Sequence, residues 1–274
     1  MKKLFFLAFA FVASALAFTS CDPNNPDNPQ EVSSIKELVG TMWRVDTAYT
    51  ADGNVESAYY QVFKITSETS YKLLDEEEPY TISVKDHQVV ADNFFGQFIL
   101  DVKEATTEYI HMETQIPAYD EAGNENGTTT LRVSLGRIPE SNGKKVELTA
   151  ENVIGTWKAD YYLETGVYTS GESWMRVMSS WEYHGLDYYY LNADGSLVFE
   201  NLMQKWMDGA EYKPAQGFWA IQDGKLALAV RYEGDSGEVQ AYEYNDVEEL
   251  TTNVMYLRHV YMGNTTFTYF HKVK

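Results

Sequence analysis

The sequence contains almost no cysteine: Cys21 is the single one in 274 residues. One thiol cannot form an internal disulfide, and an unmodified thiol would be a reactive liability in an exported protein. The sequence also has no Gly-x-Ser-x-Gly, no His-Glu-x-x-His and no phosphate-binding loop, which mark serine hydrolases, zinc peptidases and NTPases. We therefore expect no enzyme, no catalytic residue, no cofactor and no bound metal. A hydrolase that uses paired carboxylates is the remote alternative.

Positive charge is scarce as well. The chain has 21 lysines and arginines against 41 aspartates and glutamates, which gives a formal net charge of −20. Removal of residues 1–20, which hold two lysines and no acid, would make the charge −22. Because so acidic a chain repels the phosphates of nucleic acids, we expect no nucleic-acid partner.

No apolar run is long enough to cross a bilayer as a helix. The longest, residues 4–18, has 15 residues, whereas about 20 are needed. Lys2 and Lys3 precede this run, and Phe18-Thr19-Ser20-Cys21 follows it. A positive start, a short apolar segment and small residues before a cut site predict a secretory signal peptide over residues 1–20.

Phe18-Thr19-Ser20-Cys21 is similar to the lipobox of Gram-negative lipoproteins, in which the cysteine becomes the acylated first residue. The resemblance implies lipidation of Cys21, attachment to a membrane through that lipid, and a place in the cell envelope, at the outer membrane. The periplasmic and the surface face both stay open, and another envelope protein is a candidate partner. Residues 21–32 are rich in Pro and Asn, which predicts a disordered tether.

Two parts of the chain resemble each other in three ordered pairs of segments. The first pair, residues 35–46 and 150–160, is a helical turn followed by a strand that Trp opens. The second pair, residues 82–89 and 219–226, is a hairpin. The third pair, residues 102–107 and 247–252, ends in Thr-Thr before a long strand. This repetition predicts a duplication, with one domain over residues 33–140 and a second over residues 147–274.

Both domains consist of short segments in which apolar and polar residues alternate. Turn signals such as Asp194-Gly195 and Asp223-Gly224 separate these segments. About eight such strands in each domain predict an all-β fold, either a closed up-and-down barrel or a sandwich. An eight-stranded barrel has no exposed edges, and its interior holds either packed side chains or one small ligand.

Gly155-Thr156-Trp157 follows a helical turn and opens a strand, and in this it resembles the lipocalin and lipocalin-like family. Gly40-Thr41-Met42-Trp43 repeats the pattern with one additional residue. The resemblance implies two tandem lipocalin-like, up-and-down antiparallel β-barrels. It also implies that Trp43 and Trp157 each plug one end of a barrel, while the other end opens to an apolar ligand.

The second domain has an insertion, residues 165–186, that lacks a counterpart in the first domain. Trp174, Met178 and Trp181 recur in it at positions i, i+4 and i+7, which predicts a short helix with an aromatic face. We interpret this helix as a lid over the second barrel and Trp206 as a further aromatic residue beside the ligand. The alternative is a helix that plugs the barrel and completes its core.

His259 and His271 lie on neighbouring predicted strands, and the turn between the strands decides their relation. A two-residue turn at Gly263-Asn264 places them on opposite faces of the sheet, whereas a three-residue turn places them on one face. We predict the second register because it aligns the apolar residues better. No third ligand for a metal is evident, so we expect structural or surface histidines.

The function that fits these observations best is the non-catalytic binding of a small apolar or glycan-like molecule in the second barrel. Retention by burial needs only an enclosed apolar cavity and a few polar anchors. The alternative is a protein with two filled barrels that acts as an accessory or interaction subunit of an outer-membrane complex.

Overall fold

The structure is a computed structural model. It describes residues 31–51, 53, 61–85, 87–93, 96–120, 123–179, 186–201, 204–205, 208–231 and 243–273. The predicted signal peptide, Cys21 and nearly all of the predicted tether lie outside these residues. Within the described part of the chain, no helix is long and apolar enough to cross a membrane.

Eight antiparallel strands form the first barrel, and each strand pairs with the next along the chain. The last strand returns to the first, with Ile138 opposite Met42, and this pairing closes the barrel. The strands are β1 (Met42–Thr50), β2 (Val62–Ser67), β3 (Ser70–Leu73), β4 (Tyr80–Lys85), β5 (Gln88–Asn93), β6 (Gly96–Ala105), β7 (Tyr109–Tyr119) and β8 (Glu125–Ile138).

Nine strands form the second barrel, which closes where β9 pairs with β17. They are β9 (Gly155–Val167), β10 (Ser173–Ser179), β11 (Leu186–Leu191), β12 (Ser196–Asn201), β13 (Ala215–Gln222), β14 (Lys225–Arg231), β15 (Glu243–Leu250), β16 (Val254–Tyr261) and β17 (Asn264–Lys272). β10 and β11 pair with successive halves of the same edge of β9, so together they fill one of eight positions around the barrel. The predicted pair of up-and-down barrels is confirmed, and the sandwich alternative is wrong.

The prediction of a helix in the insertion is wrong over Ser173–Ser179, because these residues form strand β10. β9 continues to Val167, beyond the part that pairs with β11. Without a further strand, the backbone groups along this edge of the extension would have no partner. β10 satisfies them through seven residue pairs from Ser173–Val167 to Ser179–Tyr161. A spacing of i and i+4 also keeps two residues on one face of a strand, so the pattern did not distinguish the two structures.

The two barrels begin in the same way. A helical turn precedes the first strand of each, Ile35–Leu38 in the first barrel and Ala150–Val153 in the second. The capping box of Ser34 and Glu37 is present at the first turn, and the Thr149 side chain accepts a hydrogen bond from the backbone N–H of Asn152 at the second.

A second local structure also recurs. Thr106 in the first barrel and Thr251 in the second each cap the turn before a long strand, accepting two backbone N–H bonds at the side-chain hydroxyl. Each threonine also pairs with the segment that enters its barrel, Thr106 with Glu31 and Thr251 with Lys145. The first barrel therefore makes contacts from Glu31 onward, two residues before the predicted boundary.

The two barrels pack against each other through the outer faces of their walls. A small apolar cluster joins them, and its buried members are Val62 and Ile138 from the first barrel with Tyr161 and Val177 from the second. Tyr269 adds a hydrogen bond from its hydroxyl to the carbonyl of Pro139, 2.9 Å away.

A ring of four charged side chains lies at this interface. The sequence Trp-Arg-Val-Asp supplies Arg44 and Asp46, and the equivalent Trp-Lys-Ala-Asp supplies Lys158 and Asp160. Arg44 Nη1 lies 2.5 Å from Asp160 Oδ1, while Lys158 Nζ lies 3.4 Å from Asp46 Oδ1. Arg44 Nε also lies 2.7 Å from Asp46 Oδ1. Equivalent residues thus make reciprocal contacts, which is the property of an interface between two symmetric partners.

The ring departs from symmetry at one pair of positions. Gly136 lies opposite Arg44 in the first barrel, and His271 lies opposite Lys158 in the second. His271 Nδ1 is 2.9 Å from Asp160 Oδ2, so this carboxylate has two partners. A Cβ atom on Gly136 would lie 2.3 Å from Asp46 Oδ2, so a side chain there would displace the carboxylate.

Candidate ligand-binding cavity

The first barrel encloses a cavity of about 620 Å³. Every strand of the barrel contributes inward-facing apolar side chains, because residues on a strand alternate between the two faces of the sheet. The apolar lining includes Val45, Ile65, Ile82, Val89, Leu100, Ile110 and Leu135. Ile82, Val89 and Leu100 are only partly buried, since their side chains border empty space.

Small residues at paired positions account for part of this empty space. Ile82 lies opposite Ala91 on the neighbouring strand of the first barrel. The equivalent pair in the second barrel, through the predicted match of the two hairpins, is Trp219 opposite Leu228. Trp219 and Leu228 are both buried, so these larger side chains occupy the space that stays open in the first barrel.

Aromatic side chains complete the core of the second barrel. The ring of Tyr189 meets Phe199 and Phe270 edge-on, with centroid distances of 4.6 and 4.9 Å. Phe270 lies opposite Met255, and the corresponding pair in the first barrel is Leu135 opposite Ile110. Large side chains therefore occupy most of the described interior of the second barrel, which keeps a smaller pocket of about 250 Å³ beside Val146, Gly224 and Val247.

Among the residues that the structure describes, the exposed ones in the cavity lining lie at one end of the first barrel, which we call the mouth. They come from the segment that leads into the first helical turn and from the hairpin between β4 and β5. They are Glu31, Ser33, Ser34, Val84, Lys85 and His87. Toward the other end of the barrel, Ala48, Thr50 and Leu131 are buried.

The lipocalin resemblance implies an opening at the end away from Trp43. The connections at that end include residues 54–60, 94–95 and 121–122, which lie outside the described residues, so this expectation stays a prediction. Trp43 lies one residue after the start of β1, at the end that carries the mouth, where it is fully buried and lines the cavity. Its indole N–H donates to Thr41 Oγ1 at 2.7 Å. Trp157 is fully buried in the second barrel and donates to the carbonyl of Val153 at 2.8 Å.

Polar groups in the cavity are few. The Tyr71 hydroxyl donates to the backbone carbonyl of Asp92 at 2.6 Å. Burial raises the pKa of Tyr71, so the hydroxyl stays protonated at neutral pH. Among the other polar lining residues, Lys85 and His87 stand at the mouth, whereas Gln61 lies just before β2, beside Val45. The arrangement suits an apolar molecule that lies in the barrel with one polar end at the opening.

Neither of the two predicted ligand residues that the structure describes, Trp174 and Met178, lines this cavity. Met178 is fully buried in the core of the second barrel. Trp174 is half-buried on β10, and a Cβ atom on Gly166 would lie 2.6 Å from its ring. Trp181 and Trp206 lie outside the described residues, as does Cys21.

The predicted arrangement of two histidines is wrong. Tyr261 lies opposite Asn264, so a two-residue turn, Met262-Gly263, joins β16 and β17. In this register His259 and His271 point to opposite faces of the sheet. Within the described residues, no group of three or more His, Cys, Asp or Glu side chains is placed to hold a metal ion.

The comparisons with known proteins add little. No protein-family model matches the chain, and no curated protein matches it significantly. A protein of unknown function from the DUF3598 family of Nostoc punctiforme is 8% identical, with a TM-score of 0.21, over 88% of this chain and 100% of its own. A proposed outer membrane protein of Bacteroides fragilis is 10% identical, with a TM-score of 0.21, over 87% of this chain and 98% of its own. At such TM-scores neither similarity carries an argument.

Proposed function

We propose that the chain is a lipid-anchored protein of the cell envelope, at the outer membrane, whose first barrel binds a small apolar ligand without catalysis. The observation that carries this proposal is the cavity of about 620 Å³ with its apolar lining. Ligand sites for small molecules commonly measure about 300–1,000 Å³ and combine apolar walls with a few polar groups.

The lining favours an apolar ligand over a glycan. A buried sugar would leave its hydroxyls without partners unless polar side chains surrounded it, and such desolvation is costly. The Tyr71 hydroxyl in the lining already donates to the carbonyl of Asp92. Ile82, Val89 and Leu100 offer no hydrogen bonds, and burial of apolar ligand surface against them is favourable by about 25 cal/mol per Å².

The second barrel supports a different role. Its core contains Trp157, Trp219 and Phe270, and this filled interior favours the alternative of an interaction module for that half of the chain. Exposed apolar side chains at the tip of the β16–β17 hairpin, Tyr261 and Met262, offer a surface for an envelope partner.

Quenching of tryptophan fluorescence tests the ligand site. Trp43 is the single tryptophan between residues 33 and 140, and it lines the cavity. A fatty acid with bromine atoms on its tail should therefore quench the part of the emission that the Trp43→Phe variant lacks. The ligand should still quench the Trp174→Ala variant, whose missing side chain lies on the second barrel.

A pair of substitutions supplies the complementary variant. Ile82→Phe with Ala91→Leu should narrow the cavity at the level where the second barrel carries Trp219 and Leu228, and quenching should weaken while the far-ultraviolet circular dichroism is unchanged. Quenching that is unaltered in this narrowed variant, or that survives in Trp43→Phe, would show that the ligand binds elsewhere. The anchor has a separate test, since the Cys21→Ser protein should leave the membrane fraction.

A further inference from the structure

The mouth of the cavity lies beside the point where the N-terminal segment joins the first barrel. Glu31 pairs with Thr106 and also lines the mouth. Glu31 follows Cys21 by ten positions in the sequence, and such a segment spans at most about 35 Å when fully extended. A lipid on Cys21 would therefore keep this end of the barrel within about 35 Å of the bilayer.

The rim of the mouth combines apolar and basic side chains. Val84 is 44% exposed although it points toward the cavity, and Val32 and Ile35 line the opening from the other side. Lys85 and His87 follow on the β4–β5 hairpin. The chain as a whole has a net charge of −20. A lysine and a histidine at the opening of the apolar cavity are nevertheless placed to attract an anionic group. Glu31 stands on the opposite side of the opening.

We propose that the first barrel takes its ligand directly from the membrane surface, and that the ligand is a single-chain amphiphile with an anionic head. Its tail lies along Val89 and Leu100, and its head remains at the mouth beside Lys85 and His87. The inference rests on the proposed function, since it needs both a ligand in the cavity and a lipid on Cys21. It adds the route of entry, the orientation and the charge of the ligand.

The charge of the head is tested with two brominated probes that share one tail, dibromostearic acid and its neutral methyl ester. Both are presented in phosphatidylcholine vesicles to the full-length lipidated protein, and quenching of Trp43 reports binding. The acid should bind more tightly than the ester, and Lys85→Gln should reduce this preference roughly two- to five-fold, the effect of one exposed ion pair. Lys64→Gln is the matched control, because Lys64 is exposed on β2 and does not line the cavity.

The route of entry is tested by the rate of loading. If the mouth meets the bilayer, the loading rate of the lipidated protein should rise in proportion to vesicle concentration and exceed that of the Cys21→Ser protein. Equal rates for the two proteins, independent of vesicle concentration, would overturn the membrane route. An unchanged acid-to-ester preference in Lys85→Gln would overturn the anionic head.

These failures are distinct from a failure of the proposed function. If both probes quench Trp43 equally in every variant, the cavity still binds apolar ligands and only the inference is wrong. If neither probe quenches Trp43 in the Cys21→Ser protein, the proposed function is wrong as well. Quenching in the Cys21→Ser protein but not in the lipidated one would place the protein's own acyl chain in the cavity, which would also overturn the inference.

Discussion

The two barrels share a topology but differ in what they enclose. Both follow a helical turn with a strand that carries a fully buried tryptophan, and both close after eight positions around the barrel. The first encloses a cavity of about 620 Å³, whereas the second is filled by large side chains such as Trp219 and Phe270. Alternation of apolar and polar residues therefore determines the barrel, and side-chain volume at a few inward positions determines whether it is hollow.

The difference suggests a division of roles between the halves. Side chains packed in a filled core stabilise the fold both by burial and by dispersion contacts. Side chains that line a cavity lack part of those dispersion contacts. The second barrel accordingly stabilises the protein, and its outer wall supports the first barrel through Tyr161 and Val177. The first barrel leaves its interior open, and the proposed ligand would occupy that space.

Truncation of the equivalent side chains Trp219 and Ile82 should show the largest contrast. Trp219→Ala removes a buried ring and the hydrogen bond from its N–H to the carbonyl of Asn192, and should lower the free energy of unfolding by about 3–5 kcal/mol. Ile82→Ala removes a side chain that already borders empty space, and should cost about 1 kcal/mol. Urea unfolding of both variants measures the difference. Equal losses would mean that the first barrel is packed as tightly as the second.

The charged ring gives the next contrast, between its two carboxylates. Asp160 is fully buried between Arg44 and His271, so Asp160→Asn leaves the buried guanidinium without its main counter-charge and should cost about 3 kcal/mol. The equivalent Asp46 is partly exposed, and Asp46→Asn should cost about 1 kcal/mol. Thermal unfolding of the two variants side by side provides the measurement. A larger loss for Asp46→Asn would contradict the assignment of Asp160 as the centre of the ring.

The sequence was informative where local patterns decide the structure. The hairpin match of residues 82–89 with 219–226 was correct to the residue, since Ile82 pairs with Ala91 as Trp219 pairs with Leu228. Turn signals such as Asp223-Gly224 located the hairpins, because few residues other than glycine adopt positive φ easily.

The sequence was misleading where pairing between distant residues decides the structure. The pattern of Trp174 and Met178 suits a helix or a strand, and the free edge of β9 selected the strand. The cavity was missed for a related reason, because its volume depends on side chains that meet only after the barrel closes. The contrast between Ile82 and Trp219 was visible in the matched segments, and side-chain volume at matched positions would have indicated which barrel is hollow.

The smallest contrast concerns the pH dependence of the ring. Burial disfavours the charged form of Asp46, but the charges of Arg44 and Lys158 outweigh it and hold the pKa of the carboxyl below its usual value. A lowered pKa in the folded state stabilises the protein above the unfolded value of about 3.9, and this contribution is lost as the pH falls through the folded pKa. The free energies of unfolding of the native protein and of Asp46→Asn should therefore differ by a constant amount between about pH 5 and 7, and the difference should shrink as the pH falls below the unfolded pKa. A difference that persists undiminished at low pH would mean that Asp46 stabilises the interface through its shape and hydrogen bonds rather than through its charge.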